Sequence, residues 1–220
     1  MFEAVIFDWD GTLAETTSAV VDSFHKVLDP LPIKISEELI EKRTGTSARE
    51  IFLEILQTSG VRFDEETVRN LVEKRIEAEL EMSDQARLKE GALDLLRSLK
   101  GKVKLALASM NNKAVIDRLL AVCELKGFFD VVLSADDVRK PKPNPEIFLK
   151  CASKLRLQPE HCIVVEDSVF GVRAAKAARI RCMAVLSGAA SKSELEQEQP
   201  DLMVASLKEK ETILKYIFSP

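Results

Sequence analysis

The chain has 220 residues, 46% of them hydrophobic and 31% charged, with a formal net charge of −4. That length allows one sizeable core, or a core plus a small insert, and the slight acidity offers no basic face for nucleic acid. No apolar run nears the roughly 20 residues needed to cross a bilayer, and the N-terminus carries no basic, apolar leader pattern, so the expectation is a cytoplasmic chain without a membrane partner. Cys123, Cys151, Cys162 and Cys182 are dispersed, with no CxxC pair, and are expected as reduced core thiols. With only His25 and His161 present, a histidine-based metal site is not expected.

Taken in order, Ala4-Val5-Ile6-Phe7 reads as a short strand buried on both faces. It runs into Asp8-Trp9-Asp10-Gly11-Thr12, where Gly11 lets the backbone turn. Residues 14–29 carry Val20, Val21, Phe24, Val27 and Leu28 at helical spacing. Further helices are predicted over 36–43, 47–59 and 64–82. Ser36 and Ser47 are candidate N-caps, Glu50 is the capping-box partner of Ser47, and Gly60 is a candidate C-cap. No convincing strand occurs between 14 and 90.

From residue 91 the pattern alternates. Helices are predicted over 91–99, 113–122, 145–155, 169–178 and 206–217. Strands are predicted over 103–108, 128–134, 162–165 and 180–186, with a weaker one near 201–204. Residues 191–200 are polar and read as a surface helix or loop. Alternation of this kind predicts an α/β fold with a parallel sheet and right-handed crossovers. The helical stretch 14–89 then reads as an insertion hanging over the carboxyl edge of that sheet, with residues 1–13 and 90–220 forming the core.

Open α/β sheets place their ligands at the carboxyl ends of the strands. Here those ends carry Asp8 and Asp10, then Ser109, then Glu166 and Asp167. Residues i and i+2 of an extended segment share a side, so Asp8 and Asp10 would repel each other without a cation between them; Mg²⁺ is the hard cation that suits such oxygens. Between the last two strands lies Arg139-Lys140-Pro141-Lys142-Pro143-Asn144-Pro145, a stiff extended loop able to hold a lysine at little entropic cost. A carboxylate nucleophile, a second carboxylate, a hydroxyl, a lysine and a distal acidic pair suit phosphoryl transfer.

These motifs in order, DWDGT, Ser109, KPKPNP and VVEDS, are similar to those of the haloacid dehalogenase-like phosphohydrolases. The resemblance covers essentially the whole chain. It is strongest to the branch with a helical cap inserted after the first motif, as in phosphoglycolate phosphatases and β-phosphoglucomutases. It implies a Rossmann-like three-layer α/β/α core plus the cap. It also implies Asp8 as nucleophile and metal ligand, and Asp10 as general acid/base and main-chain metal ligand. By the same resemblance Thr12 holds the phosphoryl group or its loop, Ser109 and Asn111 contact substrate, Lys140 bridges phosphate and Asp8 in preference to Lys142, Asp167 binds Mg²⁺, and Glu166 sits beside it or behind it. Trp9, pointing away from the two acids, is expected to pack or to wall a pocket.

The expected activity is Mg²⁺-dependent hydrolysis of a small soluble phosphate monoester, phosphoglycolate or a sugar phosphate, through an aspartyl phosphate, by a monomer or homodimer. The alternative is a phosphomutase. Mutases of this branch carry a His about a dozen residues after the nucleophile, where this chain has Val20. Glu15, where relatives often have Asp, touches the hinge of the cap. A phosphoacceptor signalling domain would be about half this length and lack both cap and D-x-D pair. In the cap, Arg43 and Arg49 flank a polar turn and are candidate partners for a substrate carboxylate.

Overall fold

β1 (Ala4–Phe7) lies at the centre of a six-stranded, wholly parallel sheet. The other strands are β2 (Lys104–Ala108), β3 (Val131–Leu133), β4 (Cys162–Glu166), β5 (Arg181–Val185) and β6 (Leu202–Val204), and the spatial order is β3-β2-β1-β4-β5-β6. The computed structural model describes residues 1–33 and 35–219. The strand order reverses between β1 and β4, and this switch point is where doubly wound sheets open a crevice for ligands. In register, Phe7 pairs with Leu107 of β2 and Val165 of β4, so the residues that follow β1 and β4 emerge side by side.

Both faces of the sheet are covered, which explains why the strands are apolar throughout rather than alternating. Val5 and Phe7 face one buried layer with Trp9, packed by α5 (Ala92–Leu99), α6 (Lys113–Val122) and α10 (Lys210–Phe218). Ala4 and Ile6 face the other, packed by α7 (Glu146–Leu155), α8 (Val169–Ala177) and α9 (Lys192–Gln197). The fold is a three-layer α/β/α core. The polar stretch 191–200 supplies α9, held by a capping box between Ser191 and Glu194.

The remaining helices form an inserted cap: α1 (Thr17–Leu28), α2 (Glu37–Arg43), α3 (Ala48–Thr58) and α4 (Glu65–Met82). They bury their own cluster around Phe24, Ile40, Phe52 and Leu56. Ser36 and Ser47 cap α2 and α3 as the sequence suggests, accepting from the backbone N–H of Leu39 and Glu50. The first helix begins at Thr17 rather than 14, because the two strands of chain leading into and out of the cap pair with each other. Ala14 bridges Leu88, the Glu15 N–H donates to the Arg87 carbonyl at 2.8 Å, and the Lys89 N–H donates to the Leu13 carbonyl at 2.8 Å. Glu15 is tied across the same joint to Lys89 at 2.5 Å. Among the described residues no helix is long and apolar enough to cross a membrane, and all four cysteines are free thiols.

Candidate active site

The residues after β1, β2 and β4 converge at the switch point. Asp8 follows β1, Ser109 follows β2, and Glu166 ends β4 with Asp167 beyond it. All four side chains are buried. At their centre is the ammonium of Lys142. It donates to Asp8 Oδ1 at 2.6 Å, to Glu166 Oε1 at 2.7 Å and to the Ala108 carbonyl at 3.0 Å, so each of its three protons has an acceptor. The ring of Phe148 lies 5.0 Å away.

This corrects one assignment. The expected lysine was Lys140, which opens the first K-P-x-P of the loop. The sequence repeats the pattern two residues on, as Lys142-Pro143-Asn144-Pro145, and it is this second lysine that reaches Asp8. Lys140 is exposed, and its backbone N–H donates to Glu146 on the outer side of the loop. In an extended segment successive side chains alternate, and residues 140 and 142 share a side only while the chain stays straight. The turn at Pro141–Asn144, closed by an N–H to carbonyl bond of 2.9 Å, breaks that equivalence.

Glu166 is fully occupied. Its second oxygen, Oε2, accepts from the backbone N–H groups of Asp167 and Ser168, both at 3.0 Å, and from the Ser168 hydroxyl at 2.9 Å. Its role in this arrangement is to fix Lys142 and the loop that carries Asp167. Asp167 Oδ1 accepts from the Thr12 hydroxyl at 2.6 Å, so Thr12 orients a carboxylate rather than facing open space. Asp10 is held on both oxygens, by the Thr16 hydroxyl at 2.7 Å and the Asn111 amide at 2.9 Å. Ser109 Oγ accepts from the Asn111 backbone N–H at 3.1 Å, which leaves its own proton to donate. Thr16 carried no motif, and only its place one turn beyond the D-x-D pair could have marked it.

Oxygens of Asp8, Glu166 and Asp167 approach within 4.8 Å of one another. Three carboxylates with Asp10 nearby face one ammonium, an excess of negative charge that burial makes costly. The consequence is visible in their protonation. Burial drives the Asp8 carboxyl well above its ordinary value despite the pull of Lys142, and drives Asp167 up to about 8 with help from the Glu166 charge. Burial also raises Asp10, against its hydrogen bond from Thr16. For Lys142, burial works against the charge, but the carboxylates of Asp8 and Glu166 outweigh it and the net shift is upward. A hard divalent cation beside Asp8 and Asp167 would relieve this repulsion. The space beside Asp167 is shaped for close approach, since a Cβ at Gly188 would lie 1.7 Å from Asp167 Oδ2. The donor set is all oxygen, as Mg²⁺ requires.

The cap closes over this centre. The Thr46 hydroxyl donates to the Lys142 carbonyl at 2.9 Å. Gly45, at φ +103°, passes so near Ser168 that a Cβ would lie 2.5 Å from its hydroxyl oxygen. Between cap and core a cavity of about 20 Å³ is walled by Asp8, Asp10, Val20, Arg75 and Asn111. The two expected cap arginines are not brought into it. Arg43 pairs with Glu54 at 2.5 Å and stacks on Phe170, lining a separate groove beside Lys142. Arg49 is half-exposed and grips Glu65 with two hydrogen bonds of 2.9 Å. The cap residue that does reach the site is Arg75 of α4, which is buried, pairs with Glu79 at 2.6 Å and lies over the Phe24 ring.

A parallel sheet with an acidic, lysine-bridged centre at its switch point and a helical cap above defines a hydrolase of the haloacid dehalogenase-like class. Residues 5–185 match the haloacid dehalogenase-like hydrolase family, and the chain belongs to it. A phosphorylated carbohydrates phosphatase of Thermotoga maritima is 35% identical over 185 residues, covering 81% of this chain and 82% of the relative. Among solved structures, a hydrolase from Pseudomonas syringae superposes with a TM-score of 0.90 at 25% identity, covering 99% of this chain and 100% of that one. A β-phosphoglucomutase from Clostridium difficile superposes with a TM-score of 0.86 at 26% identity, covering 99% of each chain. The chain is accordingly an enzyme, a hydrolase of the phosphatase type.

Proposed function

We propose that the protein hydrolyses a small phosphate monoester, of the phosphoglycolate or sugar-phosphate kind, through a phosphoryl group carried on Asp8. The observation that carries this reading is the Lys142 bridge. It clamps Asp8 through Oδ1 and leaves Oδ2 without a side-chain partner among the described residues, and Asp8 lines the cavity under the cap. A fixed carboxylate with one free oxygen is placed for in-line attack on phosphorus. Lys142, the Ser109 hydroxyl and the backbone N–H groups after β1 would receive the negative charge of the transferring phosphoryl.

Asp10 lines the same cavity. Its raised affinity for a proton suits it to protonate the leaving oxygen in the first half-reaction. The resulting carboxylate then takes a proton from the water that attacks the phosphorus of the aspartyl phosphate, which releases inorganic phosphate and restores Asp8. Asp8 and Asp167, with the Asp10 carbonyl, would hold Mg²⁺, and Glu166 would support them through Lys142 and the Asp167 N–H. The ion would supply neutralising charge to phosphate and to the acidic cluster alike. The closed cap would keep bulk water from the acyl phosphate.

The mutase alternative needs a residue in the cap to shuttle a proton to a sugar. The corresponding position, Val20, is buried and apolar at the cavity wall. His25 lies a further turn along α1, engaged with Asp29 and Glu37 on the outer face. Hydrolysis is therefore favoured. The reading is tested by mixing the enzyme with Mg²⁺ and a radiolabelled sugar phosphate and quenching in acid within one turnover. Label on the protein, released by hydroxylamine and absent from Asp8→Asn, supports the acyl phosphate. Phosphate release with no protein-bound label at any quench time argues for direct attack by water.

A further inference from the structure

Asp10 and Asn111 are shared by two cavities. One is the small space over Asp8. The other opens on the far side of Asp10, between α1, α4 and α6, with a volume of about 310 Å³. Besides Asp10 and Asn111 its polar lining is Thr16, Ser18, Ser83 and Gln85 with the carboxyl groups of Glu15, Asp22 and Glu79, and among the described residues no lysine or arginine lines it. Glu79 is 7% exposed, and its Oε1 is taken by Arg75 while its Oε2 is buried with no partner among the described residues. A buried carboxylate oxygen left unpaired is costly, and such atoms are ordinarily satisfied. We propose that this second cavity receives the leaving group of the substrate, and that Glu79 selects a neutral, hydroxyl-bearing chain over one with a second anionic group.

The inference rests on the phosphatase reading, because the acid that protonates the leaving oxygen must stand where the leaving group is. Asp10 does so from the wall common to both cavities. The charge balance of the cap supports the preference. A substrate carboxylate or second phosphate would need a cation in this cavity, yet Arg43 and Arg49 are matched by Glu54 and Glu65, Lys89 by Glu15, and Arg75, whose Nη2 pairs with Glu79 and whose Nε is buried without a partner among the described residues, lines only the small cavity over Asp8. An anion entering the cavity would meet the carboxyl groups of Glu15, Asp22 and Glu79, and that of Asp10, instead. A hydroxyl fits Glu79 in either protonation state, since it donates to the carboxylate and accepts from the acid.

The test compares kcat/KM for three esters in Mg²⁺: sorbitol 6-phosphate, propyl phosphate, which lacks hydroxyls, and phosphoglycolate, which carries a carboxylate. p-Nitrophenyl phosphate reports on phosphatase chemistry alone. Sorbitol 6-phosphate should exceed each of the other two by about tenfold or more, the effect of a hydrogen bond to a charged group. In Glu79→Ala the ratio of sorbitol 6-phosphate to propyl phosphate should fall about tenfold, and Glu79→Gln, which keeps a hydrogen-bonding end, should recover most of it. Because each ratio is taken within one preparation, loss of folded protein cancels. Hydrolysis of p-nitrophenyl phosphate with equal preference for the three esters, or a ratio unmoved by Glu79→Ala, overturns the inference while leaving the phosphatase reading intact. No release from any of the four overturns both.

Discussion

Lys142 Nζ and Asp8 Oδ1 are 2.6 Å apart, both buried, and separated by 134 residues of chain. The contact joins the loop before α7 to the end of β1, and through Glu166 it also joins the end of β4. One ammonium thus holds both sides of the switch point together. Removing it leaves two buried carboxylates without their cation, which in comparable pairs costs about 3–5 kcal/mol. Lys142→Ala should therefore abolish phosphate release and lower the unfolding midpoint sharply. Lys140→Ala should change stability by less than about 0.5 kcal/mol and leave turnover near wild type. Steady-state kinetics and thermal unfolding on the two variants decide the matter, and the reverse ranking would restore Lys140 to the site.

The approach of Gly188 to Asp167 gives a test of the metal site. A methyl group there would overlap Asp167 Oδ2 at 1.7 Å and Cγ at 2.6 Å, so the carboxylate must move. Because Asp167 is a proposed Mg²⁺ ligand, Gly188→Ala should raise the Mg²⁺ concentration for half-maximal activity by about tenfold or more. A Mg²⁺ titration of activity checks this, and an unchanged half-point would remove Asp167 from the ligand set.

Glu79 links the cap to pH. Burial pushes its carboxyl up to about 7 from an ordinary 4.5, against the pull of Arg75. Between these values the native state keeps a proton that the unfolded chain has lost, so the stability contribution is complete below pH 4.5 and declines as pH rises to about 7. The size of that decline is roughly 3 kcal/mol. Urea unfolding across this range should show a shallower fall for Glu79→Gln than for the wild type. Parallel curves would mean that Glu79 titrates in the native state as it does in the unfolded chain.

Arg49 supplies the contrasting case. Its guanidinium is half-exposed and its partner Glu65 is exposed, and surface pairs of this kind contribute at most about 1 kcal/mol. Arg49→Ala should leave KM for phosphoglycolate and for p-nitrophenyl phosphate within about twofold of wild type. A selective rise with phosphoglycolate would show that Arg49 leaves Glu65 and turns inward when substrate binds.

The sequence made the fold legible because its signals were local and strong. Apolar runs such as Cys162-Ile163-Val164-Val165 could only be buried strands, and each ended in a polar group at the sheet edge. It also led to Asp8, Asp10, Ser109, Glu166 and Asp167, because motif position and strand end coincide there. It failed where a residue's role depends on a turn or on a partner far along the chain. Lys140 and Lys142 stand in the same local pattern, and only the loop's turn separates them. Arg43 and Arg49 looked like substrate cations because Glu54 and Glu65, on neighbouring turns and helices, were not visible as their partners. Arg75 and Glu79 sit in a charged run of α4, Glu73-Lys74-Arg75-Ile76-Glu77-Ala78-Glu79, where no motif marks them, and their burial follows only from the packing of the helix against α1 and the core.

Asp8 is proposed as a nucleophile working with a divalent cation. The most direct measurement is phosphate release from a panel of small esters by the wild type and Asp8→Asn, each with Mg²⁺ and with EDTA. The panel holds sugar phosphates, phosphoglycolate and p-nitrophenyl phosphate. The substitution removes charge and nucleophilicity with almost no change in volume, so loss of activity with an unaltered far-ultraviolet circular dichroism spectrum reports on chemistry alone. Full release is expected only from the wild type with Mg²⁺, with Asp8→Asn reduced by at least about a thousandfold. Release by Asp8→Asn near the wild-type rate, or by the wild type in EDTA, would contradict it.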